Sequence, residues 1–204
     1  GKDITEGNNN TCMGYQSGAD IVDGGNNTCI GWRAGYKVTS SDYGTYIGQN
    51  AGRELTTNAG LMVGESSGYY TTGSGNVLVG QNCGAYIGSG EDNTAIGRYA
   101  LAGSGSTGDK LTGNNNTCVG NDTGKEFRGD NANNTLIGSQ VAADPQRLDD
   151  CVLVGYSIDP NNDIDKAIVL GTNIASASIA NETFTIGEGD NVINLENYRP
   201  AFQT

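Results

Sequence analysis

One pattern governs the chain: Asn-Thr-x-Ile-Gly-x-x-Ala-Gly, restated along almost its whole length. It stands as Asn10-Thr11-Cys12-Met13-Gly14-Tyr15-Gln16-Ser17-Gly18 and again as Asn27-Thr28-Cys29-Ile30-Gly31-Trp32-Arg33-Ala34-Gly35. The central glycines fall at 14, 31, 48, 64, 80, 97, 120, 138, 155, 171 and 187, so most intervals are 16 or 17 residues and one, from 97 to 120, is 23. A period this short cannot hold a helical hairpin, which takes about 34 residues in helical repeats. The residue before each glycine is apolar and, except at Met13 and Leu170, β-branched: Ile30, Ile47, Val63, Val79, Ile96, Val119, Ile137, Val154 and Ile186. Strand formers punctuated by turn residues predict an all-β chain, a parallel β-solenoid with one coil per repeat. About eleven coils over residues 1–187, stacked at about 4.8 Å each, make a rod on the order of 50 Å long. Residues 188–204 break the register and read as a capping or linker segment.

Within a coil, a small residue followed by glycine (Ser17-Gly18, Ala34-Gly35, Ala51-Gly52, Ser67-Gly68, Cys83-Gly84, Thr123-Gly124) marks a tight corner. The Asn column (10, 27, 76, 93, 116, 134) is expected at the opposite corner, where Asn tolerates left-handed backbone. Side chains alternate along a strand, so the Thr and Ile columns share one face and the residue between them points the other way. That middle column reads Cys12, Cys29, Tyr46, Met62, Leu78, Ala95, Cys118, Leu136, Leu153, Val169, Thr185. Both faces are largely apolar, and a lone solenoid has a use for only one. The second face needs a cover, and another copy of the chain is the economical one. The expectation is a homotrimer with coils packed along a common axis. The alternative is a wider coil that swallows both faces.

The tandem Asn-Thr-x-Ile-Gly-x-x-Ala-Gly copies, over about residues 10–187, resemble the shafts of tailed-phage tail fibres and tailspikes. They are also similar to the head repeats of trimeric autotransporter adhesins, which read roughly Ser-Val-Ala-Ile-Gly. The resemblance implies a trimeric, left-handed β-roll; spacing alone does not set the hand. This repeat is longer than the adhesin one and richer in Asn, Cys and Tyr, which favours the fibre.

The composition excludes much chemistry. There is no histidine, which removes imidazole bases and the commonest metal ligand. The net charge of −12 opposes binding to nucleic acid or anionic lipid, and no apolar run approaches the roughly 18 residues of a membrane span. Five cysteines without CxxC spacing read as free, buried small hydrophobes, Cys12 and Cys29 in one column included. Gly103–Gly108 matches G-x-G-x-x-G but lies between β coils, not between a strand and a helix, and Gly120–Lys125 has the wrong spacing for a phosphate loop. Asp159–Asp165 spaces oxygen ligands like a calcium loop, yet Ile164 stands where the glycine belongs. No cofactor is expected, and a weakly held divalent cation there is the single opening. Carboxylate pairs such as Glu91/Asp92 and Asp149/Asp150 form no persistent column, so no enzyme is expected. Six Asn-x-Thr sequons coincide with the repeat and read as corner chemistry.

The 23-residue interval inserts about six residues, within 102–113, and insertions in solenoids project as loops on one face. Trp32, Arg33, Tyr36, Tyr69, Tyr70, Tyr86 and Tyr99 fall at or near corners, where exposed rings offer platforms for sugars. Burial at a subunit interface is their competing fate. The expected function is therefore structural and adhesive: a phage fibre segment of the virion, self-associating, touching other fibre or tail proteins, and contacting a host-surface glycan or protein. A bacterial autotransporter adhesin head, which would lie at the cell surface, is the first alternative, and a polysaccharide-degrading tailspike the second. Ice binding would need a Thr-x-Thr ladder, whereas the third position here is Ile or Val.

Overall fold

A computed structural model of the chain describes residues 6–55, 60–105, 110–143, 147–160, 163–175, 179–181 and 183–189, and the backbone of 191–196. The chain is all-β. Seven three-residue strands open it: β1 (Thr11–Met13), β2 (Thr28–Ile30), β3 (Thr45–Ile47), β4 (Leu61–Val63), β5 (Val77–Val79), β6 (Thr94–Ile96) and β7 (Thr117–Val119). The later strands are β8 (Thr135–Val141), β9 (Leu148–Asp149), β10 (Val152–Ile158), β11 (Ile164–Asp165), β12 (Ile168–Thr172), β13 (Thr183–Glu188) and β14 (Asn191–Glu196). The main sheet runs β1 through β8, then β10, β12, β13 and β14. Every pair is parallel and in register, Thr on Thr and Ile on Ile, until β13 pairs antiparallel with β14. β9 and β11 form a second, two-stranded parallel sheet.

The repeat is thus a parallel β-solenoid. Its regular part makes about nine turns at roughly 17-residue spacing, slightly fewer than the eleven coils expected. At the last rung β14, within the 188–204 segment, pairs antiparallel with β13 and ends the parallel stack there.

The middle column fills the coil. Cys29, Tyr46, Met62, Leu78, Ala95, Cys118, Leu136, Leu153 and Val169 are all solvent-inaccessible and form one core with Ile21, Val38, Leu55, Ile87 and Leu111 from the far side. The anchor glycines close the strand at φ of about 130° (Gly31 at 133°, Gly48 at 128°), backbone that side-chain-bearing residues avoid. A Cβ on Gly31 would sit 2.5 Å from the carbonyl oxygen of Gly48 on the next rung, so the glycine column is also a steric condition for stacking.

The Asn column works differently from the expectation. Left-handed backbone belongs to the residue before it: Asn9, Asn26, Tyr43, Asp92, Asn115 and Asn133 have φ between 54° and 60°. The Asn column itself is a buried hydrogen-bond ladder. Asn93 Oδ1 accepts the backbone N–H of Asn116 at 2.9 Å, and Asn116 Oδ1 accepts that of Asn134 at 3.2 Å. Each amide nitrogen donates to a carbonyl of its own coil, as Asn116 Nδ2 does to Asn131 O at 2.8 Å. The column holds other residues at Gly44, Gly60, Cys151 and Ala167, and at the first of these the reason is visible. A Cβ at position 44 would collide with the Tyr46 phenol, whose hydroxyl bonds Ser41 Oγ at 3.2 Å.

Candidate functional site

Two residues after each anchor glycine the chain turns through a positive-φ residue (Arg33 at 53°, Asn50 at 57°, Ser66 at 55°); the small residue that follows is buried (Ala34, Ala51, Ser67), and larger side chains flanking the corner stay partly on the surface. Across successive coils this builds a strip of rings and cations. The Arg33 guanidinium lies 4.4 Å from the Trp32 ring centre and 5.5 Å from that of Tyr36. Arg53, one rung on, lies 5.9 Å from Tyr36 and 5.1 Å from Tyr69. Tyr69 meets Tyr70 edge to face at 4.5 Å, and Tyr70 stacks on Tyr86 at 5.5 Å. Lys110 reaches back over Tyr70 at 5.2 Å. Trp32 is the exposed end, and the rest are half-buried.

Six of the seven ring and cation positions expected from sequence therefore meet in one contact chain. Tyr99 instead forms a second cluster with Arg98 at 5.2 Å and Lys125 at 5.5 Å. Sequence reasoning missed Arg53 and Lys110. A column table would have found the first, because Tyr36, Arg53 and Tyr69 all stand five residues after an anchor glycine. Lys110 lies at the end of the insertion and carried no such signal.

The insertion adjoins the strip. Gly103 packs on the Tyr86 backbone and Gly105 faces the Tyr86 ring, while 106–109 lie outside the described residues. Leu111 is buried in the core and bridges Ile87 and Gly129, so the stack continues across the insertion.

The outward face of the main sheet is a second candidate surface. None of the Ile/Val column is buried: Ile30, Ile47, Val63, Val79, Val119 and Val154 are half-exposed. Ile96, Ile137 and Ile186 keep 43%, 41% and 44% of their surface accessible. The companion column (Thr28, Thr45, Leu61, Val77, Thr94, Thr117, Thr135, Val152, Ile168) is likewise unburied. A wide coil that swallows both faces is ruled out within this chain.

The remaining motifs assemble little. An open groove of about 630 Å³ gathers Asp130, Asp149, Asp163 and Asp165 with Arg147 and Lys166. Two of its carboxylates are already engaged: Asp149 accepts the Ala132 N–H at 3.0 Å and faces Arg147 at 2.6 Å, and Asp165 faces Lys166 at 2.5 Å. Asp149 in turn raises the Arg147 pKa. Asn161 and Asn162 of the calcium-like run lie outside the described residues, and among those described no three His, Cys, Asp or Glu converge to hold a metal. Gly120–Lys125 is an ordinary corner, with Lys125 3.9 Å from Asp122. All five thiols are unbridged; four are buried as expected, but Cys12, on the first described rung, is only half-buried. Burial raises the pKa of Cys29 and Cys83 to about 12 and that of Cys151 to about 11. Among the described residues no helix is long and apolar enough to cross a membrane. No family model, no curated protein and no solved structure matches the chain.

Proposed function

We propose that the protein is a structural and adhesive fibre segment, a homotrimeric β-solenoid of a phage tail fibre that attaches a virion to a host-surface glycan or protein. It works without catalysis. One observation carries the reading: the apolar Ile/Val column and its Thr-rich companion run the length of the main sheet, face outward and stay unburied among the described residues. Burying what remains exposed of such an Ile or Leu contributes about 0.6–1.2 kcal/mol. Summed over Met13, Leu61, Ile96, Ile137, Ile168 and Ile186, each more than a third exposed, the gain is comparable to the roughly 4–15 kcal/mol that association costs. Parallel siblings related by a common axis would seal the face and leave the aromatic strip for a receptor.

Light scattering on the purified chain tests the assembly. A trimer mass is expected, and Val79→Asp, which sets a charge in the middle of the face, should release monomers. A stable monomeric wild-type chain would refute the reading. The autotransporter head shares this architecture and differs in the module joined to its rod, a membrane β-barrel anchor. Shortening of a host polysaccharide by the trimer would turn the proposal toward a tailspike enzyme.

A further inference from the structure

We infer that the strip from Trp32 to Tyr86 binds a carboxylate-bearing polysaccharide laid along the rod axis. The inference rests on reading this flank as the adhesive surface and names its ligand class. Three features point there. First, a ring or a cation stands at every rung (Tyr36, Arg53, Tyr69, Tyr86), at about the 4.8 Å spacing of stacked strands, a step close to the length of one pyranose unit. A chain running parallel to the axis therefore meets a ring or a guanidinium at each step, whereas a compact ligand would use one or two.

Second, the cations are concentrated where the rings are. The whole chain has 11 Lys and Arg against 23 Asp and Glu, yet Arg33, Arg53 and Lys110 interleave with five aromatic rings. Among the described residues Arg33 and Lys110 have no carboxylate within ion-pair distance; Arg33 Nε donates to the neutral Gln16 Oε1 at 2.7 Å. Third, Arg53 is only loosely paired: its Nε stands 3.5 Å from Glu54 Oε1, while Glu54 is held by Lys37 at 2.6 Å. Its side chain stays 23% exposed beside the Tyr36 and Tyr69 rings, and a guanidinium so placed can take a carboxylate in its plane. Single-stranded nucleic acid also stacks on rings, but it needs a continuous basic groove to track a phosphate at every unit. Three cations on a rod of net charge −12 do not make one.

The test is calorimetry of the assembled rod with hyaluronate, which carries a carboxylate on every second sugar and so suits cations spaced among rings, with neutral dextran and with a single-stranded oligonucleotide. Each exposed cation–carboxylate pair is worth a factor of roughly 2–5. Hyaluronate should therefore bind about tenfold or more tighter than dextran, and the triple variant Arg33→Gln, Arg53→Gln, Lys110→Gln should abolish that preference. Trp32→Ala with Tyr36→Ala should weaken both polysaccharides. Melting and oligomeric mass of each variant, unchanged, show that the rod is intact. Equal binding of the two polysaccharides, indifferent to the triple variant, overturns the carboxylate inference and leaves the adhesive strip standing. No binding of either polysaccharide removes both. Binding of the oligonucleotide alone would show the ligand class to be wrong.

Discussion

Replacing Asn116 by alanine probes the buried ladder at its best-connected rung. Three side-chain functions vanish: the donation from Nδ2 to Asn131 O, that to Asn93 Oδ1, and the acceptance by Oδ1 from Asn134 N and Nδ2. Some partners keep an alternative. Asn93 Oδ1 still receives the Asn116 backbone N–H, and Asn134 Nδ2 still donates to Leu148 O. Two buried groups lose theirs, the N–H of Asn134 and the carbonyl of Asn131. At about 1–3 kcal/mol for each orphaned buried polar group, the loss is about 2–6 kcal/mol. For a domain of this size that corresponds to roughly 5–20 °C in melting temperature. Asn115 supplies the control. It is exposed, sits at φ 59°, and its side chain makes a single long bond of 3.4 Å to Asn133. Glycine adopts that backbone freely, so Asn115→Gly should change stability by less than about 0.5 kcal/mol. Thermal melting by circular dichroism ranks the two variants, and amide hydrogen exchange locates the damage. Protection of the Asn134 amide should collapse in Asn116→Ala, while rungs two coils away keep theirs, because solenoid coupling is nearest-neighbour. If Asn115→Gly cost as much as Asn116→Ala, or if the Asn134 amide stayed protected, the ladder would not be holding the coils.

The anchor glycines give a second contrast: Gly48→Ala combines backbone at φ 128° with a Cβ 2.5 Å from Gly64 O and should cost about 3 kcal/mol or more, whereas Gly129→Ala, at φ 59° with nothing within 4 Å, should cost only about 1–2 kcal/mol. Equal melting temperatures for the two would contradict the steric role of the anchors. The thiols supply a pH dependence. Burial raises Cys29 and Cys83 to about 12 from an ordinary 9.0, so folding favours their neutral form; that stability is complete below pH 9 and fades as pH climbs toward 12. The folded rod should resist a thiol-specific reagent at pH 8 and melt progressively earlier above pH 9; rapid modification of all five cysteines at pH 8 without unfolding would show the core reading to be wrong.

The fold was legible because a 17-residue period and in-register pairing are two expressions of one constraint. A rung that must lie on an identical rung repeats its strand, its anchor glycine and its core residue together. The detail that misled was the Asn-Asn-Thr run. Both asparagines suit a turn, and composition cannot say which supplies the left-handed backbone and which the buried amide. Only stacking separates them, since an inward amide finds the next coil's N–H while its neighbour faces water. The C-terminal end was legible only in part: the break in register marks residues 188–204 as a cap or linker, but strand propensity in Asn191–Glu196 is blind to direction and does not foretell antiparallel pairing with β13.

The candidate surfaces were legible to different depths. The Thr-x-Ile alternation dictates that one of two apolar faces looks outward, and the buried middle column fixes which. The aromatic strip depends on register between coils, so its rings could be named but not joined. Arg53 completes it only because the 48–64 interval has 16 residues and sets Arg53 between Tyr36 and Tyr69 in one column. Lys110 joins only because the insertion passes beside Tyr86 and Leu111 is seated in the core. The two surfaces also impose opposite demands. A face that shelters against siblings must be flat, apolar and uniform from rung to rung, and the Ile/Val column is. A face that recognises a ligand must vary along the rod, and the column running Tyr36, Arg53, Tyr69, Ala85 changes at every step. That difference in variation, read across the same coils, is the physical ground for assigning assembly to the sheet and contact to the strip.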